Sequence, residues 1–240
     1  MTRVNLSGLQ SFCTLNNGRN IPLLGLGVYL IEAGKATEDA VLWALQIFVT
    51  TKLYDQDHGY DSALAACELS LQKLGLDYVD LYLIHSPNPG AERRAESWNA
   101  LQKLVTLGKA KSIGKAYFYS ITPMNLLNFK VHPWLARREI ISFCESQNIA
   151  IEAYSPLSRG HKLQDPVVNK IAAKYSKSAA QVLIRWSLQK GHIVLPKSAK
   201  KERIEQNSEV FDFELADGDM EVLDSLDEGY VSGWDPTTAP

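Results

Sequence analysis

The feature that most constrains this chain is a repeated alternation. Short apolar runs are followed by longer stretches whose apolar residues recur at helical spacing. Strand-like runs lie near residues 24–28, 47–53, 78–85, 111–116, 149–155 and 193–196, with a stub at 129–131. Between them, residues 60–73 place Ala63, Leu64, Cys67 and Leu71 on one helical face, and Gly75 ends the pattern. Further helical patterns cover 97–107, 135–147, 167–189 with a break near Ser176, and 217–226. Alternation of this kind joins parallel strands by right-handed crossovers. The strand count is close to eight, so a single (β/α)8 TIM barrel over residues 12–235 is expected, with a short tail at 236–240. Asn17-Gly18 supplies a hairpin turn ahead of the first strand.

Two junctions break the rhythm. Thr37 caps a helix whose first turn carries Glu38 and Asp39, the right charges for that end. That helix runs to Gln46, and strand 47–53 begins at Ile47 with no Gly, Asn or Pro between them. A helix needs a connection, commonly about two to six residues, to turn back onto a sheet. A βα unit is therefore expected to be missing at Gln46/Ile47. The second break is at Asn128/Phe129, where a helix opened by Thr122-Pro123 stops after about one and a half turns.

Residues 193–207 pose a charge problem. The run Ile193-Val194-Leu195 stops at Pro196, and a helix-compatible segment follows Ser198. Lys197, Lys200, Lys201 and Arg203 crowd its start, where the helix dipole disfavours each cation by about 0.3–1 kcal/mol. An anion held there by free N–H groups and basic side chains removes the conflict. A solvated helix start with poor charge placement is the competing explanation.

Composition narrows the function. Net charge of −2 provides no field for nucleic acid or anionic membrane. No apolar run approaches the ~20 residues that span a bilayer. The N-terminal residues lack the apolar core of a signal peptide. Cys13, Cys67 and Cys144 are isolated and have no metal-ligand spacing, so a reducing cytosol and no metal site are expected. Gly25-Leu26-Gly27 is not a dinucleotide fingerprint, because Leu30 stands where the third glycine belongs.

With those residues in view, the chain resembles the aldo-keto reductases over roughly residues 12–235. The phrases that carry the resemblance are Leu15-Asn16-Asn17-Gly18, Thr51-Lys52-Leu53 and Gly75 through His85. Ala153-Tyr154-Ser155-Pro156-Leu157 and Leu195-Pro196-Lys197-Ser198 through Asn207 complete it. The resemblance implies a (β/α)8 enzyme that uses NADPH/NADP+ and reduces a small-molecule aldehyde or ketone, expected here as a monomer. It implies that Tyr154 stacks on the nicotinamide and that Ser155 and Leu157 follow the pyrophosphate. It also implies that Lys197, Ser198 and Arg203 hold the 2′-phosphate, with Gln206 and Asn207 near the adenine. Lys52 and His85 match the family's catalytic lysine and histidine. The family's aspartate and tyrosine belong to the unit expected to be missing at Gln46/Ile47, so neither has a counterpart. Tyr29, Tyr54, Tyr117 and Tyr119 align with other family positions. A block ending in an Asn-Gln pair is likewise expected to be missing near Asn128, and Lys115-Ala116-Tyr117 departs from the family's pattern after Gly114. Two functions follow: an NADPH-dependent oxidoreductase by descent in a truncated or spliced form with doubtful turnover, or a non-catalytic nucleotide- or partner-binding protein on the same scaffold.

Overall fold

The computed structural model describes residues 8–28, 48–117 and 124–235. The junction at Gln46/Ile47 and the helix expected before it lie outside those residues, as do Tyr29 and Tyr119. A hairpin of β1 (Phe12–Thr14) and β2 (Asn20–Pro22) precedes a parallel sheet. The sheet has six strands in sequence order: β3 (Thr50–Leu53), β4 (Val79–Ile84), β5 (Ala110–Lys115), β6 (Leu126–Lys130), β7 (Ala150–Tyr154) and β8 (Ile193–Leu195). Residues 24–27 extend it past β8 through parallel bridges Leu24↔Val194 and Gly27↔Lys197. The result is a curled half-barrel, consistent with a truncated (β/α)8 barrel.

Helices cover the outer face: α1 (Tyr60–Leu74), α2 (Ala91–Thr106), α3 (Arg138–Ser146), α4 (Pro166–Lys174), α5 (Ala179–Gln189), α6 (Lys201–Ser208) and α7 (Asp217–Asp224). Side chains alternate between faces along each strand. Leu53, Tyr82, Ile84, Leu127, Phe129 and Ala153 join the helix-side core with Trp98, Leu101 and Val182. Leu81, Leu83 and Leu126 point the other way, into a second core with Leu15, Ile21 and Leu23 of the hairpin region. The hairpin thus plugs the N-terminal end of the barrel. Asn17 donates to Ser112 Oγ at 3.1 Å, and Asn16 to the Met124 carbonyl at 2.9 Å.

The structure corrects the reading near Asn128. Residues 126–130 form a strand, not the end of a helix, and all five are buried. Five residues, Leu126-Leu127-Asn128-Phe129-Lys130, are too few for their apolar spacing to separate a strand from the last turn of a helix. Asn128 pairs with Glu152 and Phe129 with Ala153 in one unbroken ladder, so no break occurs at that point. The short connection lies earlier: only residues 116–125 separate β5 from β6. A complete helical crossover uses at least about 10–12 residues.

Other boundaries moved by a turn or less, except at α2. It starts at Ala91 rather than Ser97, because Gly90 in the left-handed region lets the chain turn directly into it. Residues 135–137 are irregular before α3.

Gly114 is required by close approach. A Cβ there would sit 2.3 Å from the Leu126 carbonyl oxygen and 2.9 Å from Leu83 Cδ2. Gly114→Ala is expected to push β5 from β6, where pairing is confined to Gly114↔Leu126 and Lys115↔Leu127. Overpacking of this kind costs about 1–3 kcal/mol. A denaturant midpoint unchanged by the substitution would contradict this.

Two buried histidines make the fold acid-sensitive. Burial holds His132 and His192 neutral and lowers each from its ordinary 6.5 to about 4, with Lys130 and Lys190 respectively adding to the effect. Their folded values lie below the unfolded one, so the unfolded chain binds more protons. Their contribution is complete above pH 6.5 and is lost as pH falls toward 4. That amounts to roughly 3 kcal/mol per histidine at the acid end. The melting temperature is expected to fall steeply across this window, and His192→Gln to reduce the slope. A flat melting profile would show that neither group stays neutral.

Candidate active site

The inner face of the half-barrel carries polar residues at the C-terminal strand ends. Strand parity places Lys52 of β3, His85 just beyond β4, Asn128 and Lys130 of β6, and Glu152 and Tyr154 of β7 on that side. Lys52 and His85, expected to be catalytic, are brought together. Burial lowers the Lys52 ammonium from its ordinary value, and the charge of Glu152 opposes that shift. Burial also lowers His85, Lys52 lowers it further, and Asp55 acts in the opposite direction. Tyr54, 55% exposed, leans against His85 with ring centroids 5.8 Å apart. Asp55 is engaged by the Ser86 hydroxyl and by the Asn88 amide at 2.9 Å.

Lys115 and Tyr117 take no part in this face. The Lys115 ammonium lies 5.0 Å from the Trp98 ring on α2, and burial lowers it to about 8 with Arg94 adding to the effect. Tyr117 joins the helix-side core, where burial pushes its phenol up to about 12. A phenol so placed is a poor proton donor to the barrel interior.

The second part of the site lies where β7 and β8 end. Tyr154 pairs with Leu195, so Ser155 and Lys197 emerge from the same end of neighbouring strands. Ser155, Ser158 and Arg159 have positive φ, at 52°, 49° and 56°, in one tight loop. Left-handed backbone costs a non-glycine residue about 1–2 kcal/mol, and such strain gathers at functional sites. Leu157 packs against both cores and fixes the loop to the barrel. Within it, the buried Ser158 hydroxyl has no hydrogen-bond partner among the described residues.

Helix α6 begins with Lys200 at its N-cap and has no side-chain cap. Ser198 instead closes a local turn, accepting from the Lys200 amide at 3.1 Å and donating to its carbonyl at 3.3 Å. Lys197, Lys200 and Arg203 are exposed, and among the described residues none has an acidic partner, whereas Lys201 reaches Glu205 at 3.7 Å. Gln206 is exposed and Asn207 buried on the same helix. An unsatisfied serine in a strained loop, an uncapped helix start and unpaired cations together fit an extended anionic ligand such as a dinucleotide.

Three inner-face residues escaped the sequence reading. Glu152 and Asn128 are buried and joined by a hydrogen bond from the Asn128 amide to the Glu152 carboxylate. A carboxylate amid the apolar run Ile149–Tyr154 was the available signal. Lys130 donates to the carbonyls of Ser232 at 2.7 Å and Trp234 at 3.0 Å, tying the C-terminal segment to the rim. Arg137 adds an ion pair to Asp235 at 2.7 Å. Those partners are backbone and side-chain groups about 100 residues distant, beyond any local pattern.

Comparison with known proteins bears directly on this arrangement. A sequence model described as the aldo/keto reductase family matches residues 28–228. The uncharacterized oxidoreductase YtbE of Bacillus subtilis is 39% identical, covering 95% of this chain and 97% of its own length. Glyoxal reductase of the same organism is 36% identical, covering 96% and 98%. A solved structure of a Gox0644 mutant in complex with NADPH superposes with a TM-score of 0.91 at 34% identity, covering 96% of this chain and 99% of that one. The family model spans most of the chain and relatives above 30% identity cover nearly all of it, and the chain belongs to the aldo/keto reductase family.

Proposed function

We propose that this chain is an NADP(H)-binding oxidoreductase of aldehydes and ketones by descent, with its cofactor site retained and its proton-donating site lost. The observation that carries the reading is that Lys197 and Arg203, which follow β8, are exposed with no acidic partner among the described residues, while the neighbouring strand β7 leads into the strained Ser155–Arg159 loop. When bound, NADPH supplies the hydride. Tyr154 then offers its ring to the nicotinamide, Ser155 and Leu157 flank the pyrophosphate, and Lys197, Ser198 and Arg203 hold the 2′-phosphate. Gln206 and Asn207 lie at the adenine. His85 orients the carbonyl oxygen, and Lys52 sets the local field.

The loss of the proton donor is supported by the chain's length. Alignments to the two Bacillus proteins run over 275 and 273 positions, although this chain has 240 residues. Those relatives carry residues for which this chain has no counterpart. The short connection between β5 and β6 is one place for them, and the Gln46/Ile47 junction is the other.

Quenching of protein fluorescence by NADPH tests the reading. Saturable binding of the purified chain is expected, with a monomer in solution and no dependence on added metal. Absence of binding by a cooperatively folded chain would remove the cofactor assignment. The second reading, a protein that binds NADP(H) or a partner without chemistry, is favoured if binding is retained and turnover is absent in forms that restore the missing unit.

A further inference from the structure

We infer that Lys130 is a specificity-determining residue that makes the site favour the reduced cofactor, NADPH, over the oxidised NADP+. The inference rests on the site reading above, in that Tyr154 stacks on the nicotinamide. The two forms differ at that ring, which is neutral in NADPH and carries a positive charge in NADP+. A fixed ammonium beside the stacking residue therefore acts on one form and not on the other. Lys130 ends β6 directly opposite Tyr154 of β7 in register, and its ammonium stands 5.9 Å from the centre of the Tyr154 ring. Lys130 is 5% exposed, so water and salt screen its charge little.

The C-terminal segment fixes that ammonium in place. It donates to the carbonyls of Ser232 at 2.7 Å and Trp234 at 3.0 Å. Those acceptors are neutral, so they satisfy its N–H groups without cancelling its charge. Burial lowers Lys130 from its ordinary 10.5, Asp235 opposes that shift, and Arg159 and Arg137 add to it. The two carbonyl acceptors also favour the charged form. Asp235 is the acid facing Lys130 among the described residues, and Arg137 already holds it at 2.7 Å. Arg159 lies close by, since a Cβ on Gly233 would sit 2.8 Å from its guanidinium Nη1. One ammonium and two guanidinium groups thus face a single carboxylate, which leaves this corner of the rim positive. The inner-face carboxyl beside Tyr154 is Glu152, and burial pushes it toward its neutral form. A unit charge about 10 Å from a bound cation weakens its binding by roughly 3- to 15-fold at an effective dielectric constant of about 40 to 20.

Fluorescence titration with NADPH and with NADP+ in parallel tests this without turnover. The unaltered chain is expected to bind NADPH roughly 3- to 15-fold more tightly than NADP+. In Lys130→Met that preference is expected to shrink toward parity through tighter NADP+ binding, and Lys130→Arg should keep it. Both forms carry the same pyrophosphate and 2′-phosphate, so a change in the phosphate contacts moves their affinities together. Release of the C-terminal segment, the result if Lys130 is only a structural tie, likewise changes both by one factor and leaves the ratio as it is. An unmoved ratio in folded Lys130→Met overturns the inference. Where that variant does not fold, equal affinities for the two forms in the unaltered chain do so. Absence of binding by either form removes the cofactor reading and this inference with it, whereas binding of both at equal affinity removes the inference alone.

Discussion

The purified chain is expected to reduce a reactive aldehyde such as a nitrobenzaldehyde at a rate near background. A positioned general acid contributes about 10²–10⁴-fold to such a reaction. Misplacement of the reacting centres by about 1 Å costs a further 10²-fold. Neither His85 nor Lys52 supplies the lost group. Burial and the neighbouring Lys52 cation keep His85 neutral, which removes its acidic proton. Burial lowers the Lys52 ammonium and so favours the neutral amine, a poor proton donor. Tyr117 is turned into the helix-side core and is a weaker acid than an ordinary phenol. Inserting a family-like βα unit between Gln46 and Ile47, with a full crossover helix within residues 116–125, is expected to recover turnover. Lys52→Met and His85→Gln should then reduce it again. Steady NADPH oxidation by the unaltered chain, abolished by Lys52→Met, would sink the prediction. Tyr54, with its ring 5.8 Å from His85, would become the first donor to test through Tyr54→Phe.

The second large effect concerns cofactor choice. NADPH is expected to bind more tightly than NADH, because Lys197 and Arg203 are exposed cations without acidic partners among the described residues. Each charge-assisted hydrogen bond to a 2′-phosphate contributes about 1.5–3 kcal/mol, which corresponds to roughly 10- to 150-fold in affinity. Arg203→Ala and Lys197→Ala should each weaken NADPH by about that factor and leave NADH nearly unchanged. High salt should narrow the difference between the cofactors, since both cations are solvent-exposed. Equal losses for NADPH and NADH would mean that these residues hold some shared part of the nucleotide, and the 2′-phosphate assignment would fall.

By itself the sequence determined the alternation of strands and helices, the parallel order of the sheet, and the residues at the strand ends. Those features follow from local apolar period and from the crossover rule, and both are written in a few neighbouring residues. The strands containing Lys52 and Tyr154 were legible for that reason, as was the charge conflict at Lys197–Arg203. Residues 126–130 were not, because five residues are too short a window to tell a strand period from a helical one, and only pairing with β5 and β7 decides that they form a strand. Glu152 and Asn128 were likewise decided by tertiary structure. They sit 24 residues apart, and their hydrogen bond exists only because β6 and β7 align in register. The same holds for Lys130, whose partners at Ser232 and Trp234 come from the far end of the chain. Buried polar groups must find partners wherever the fold brings them, and sequence spacing carries no record of that choice.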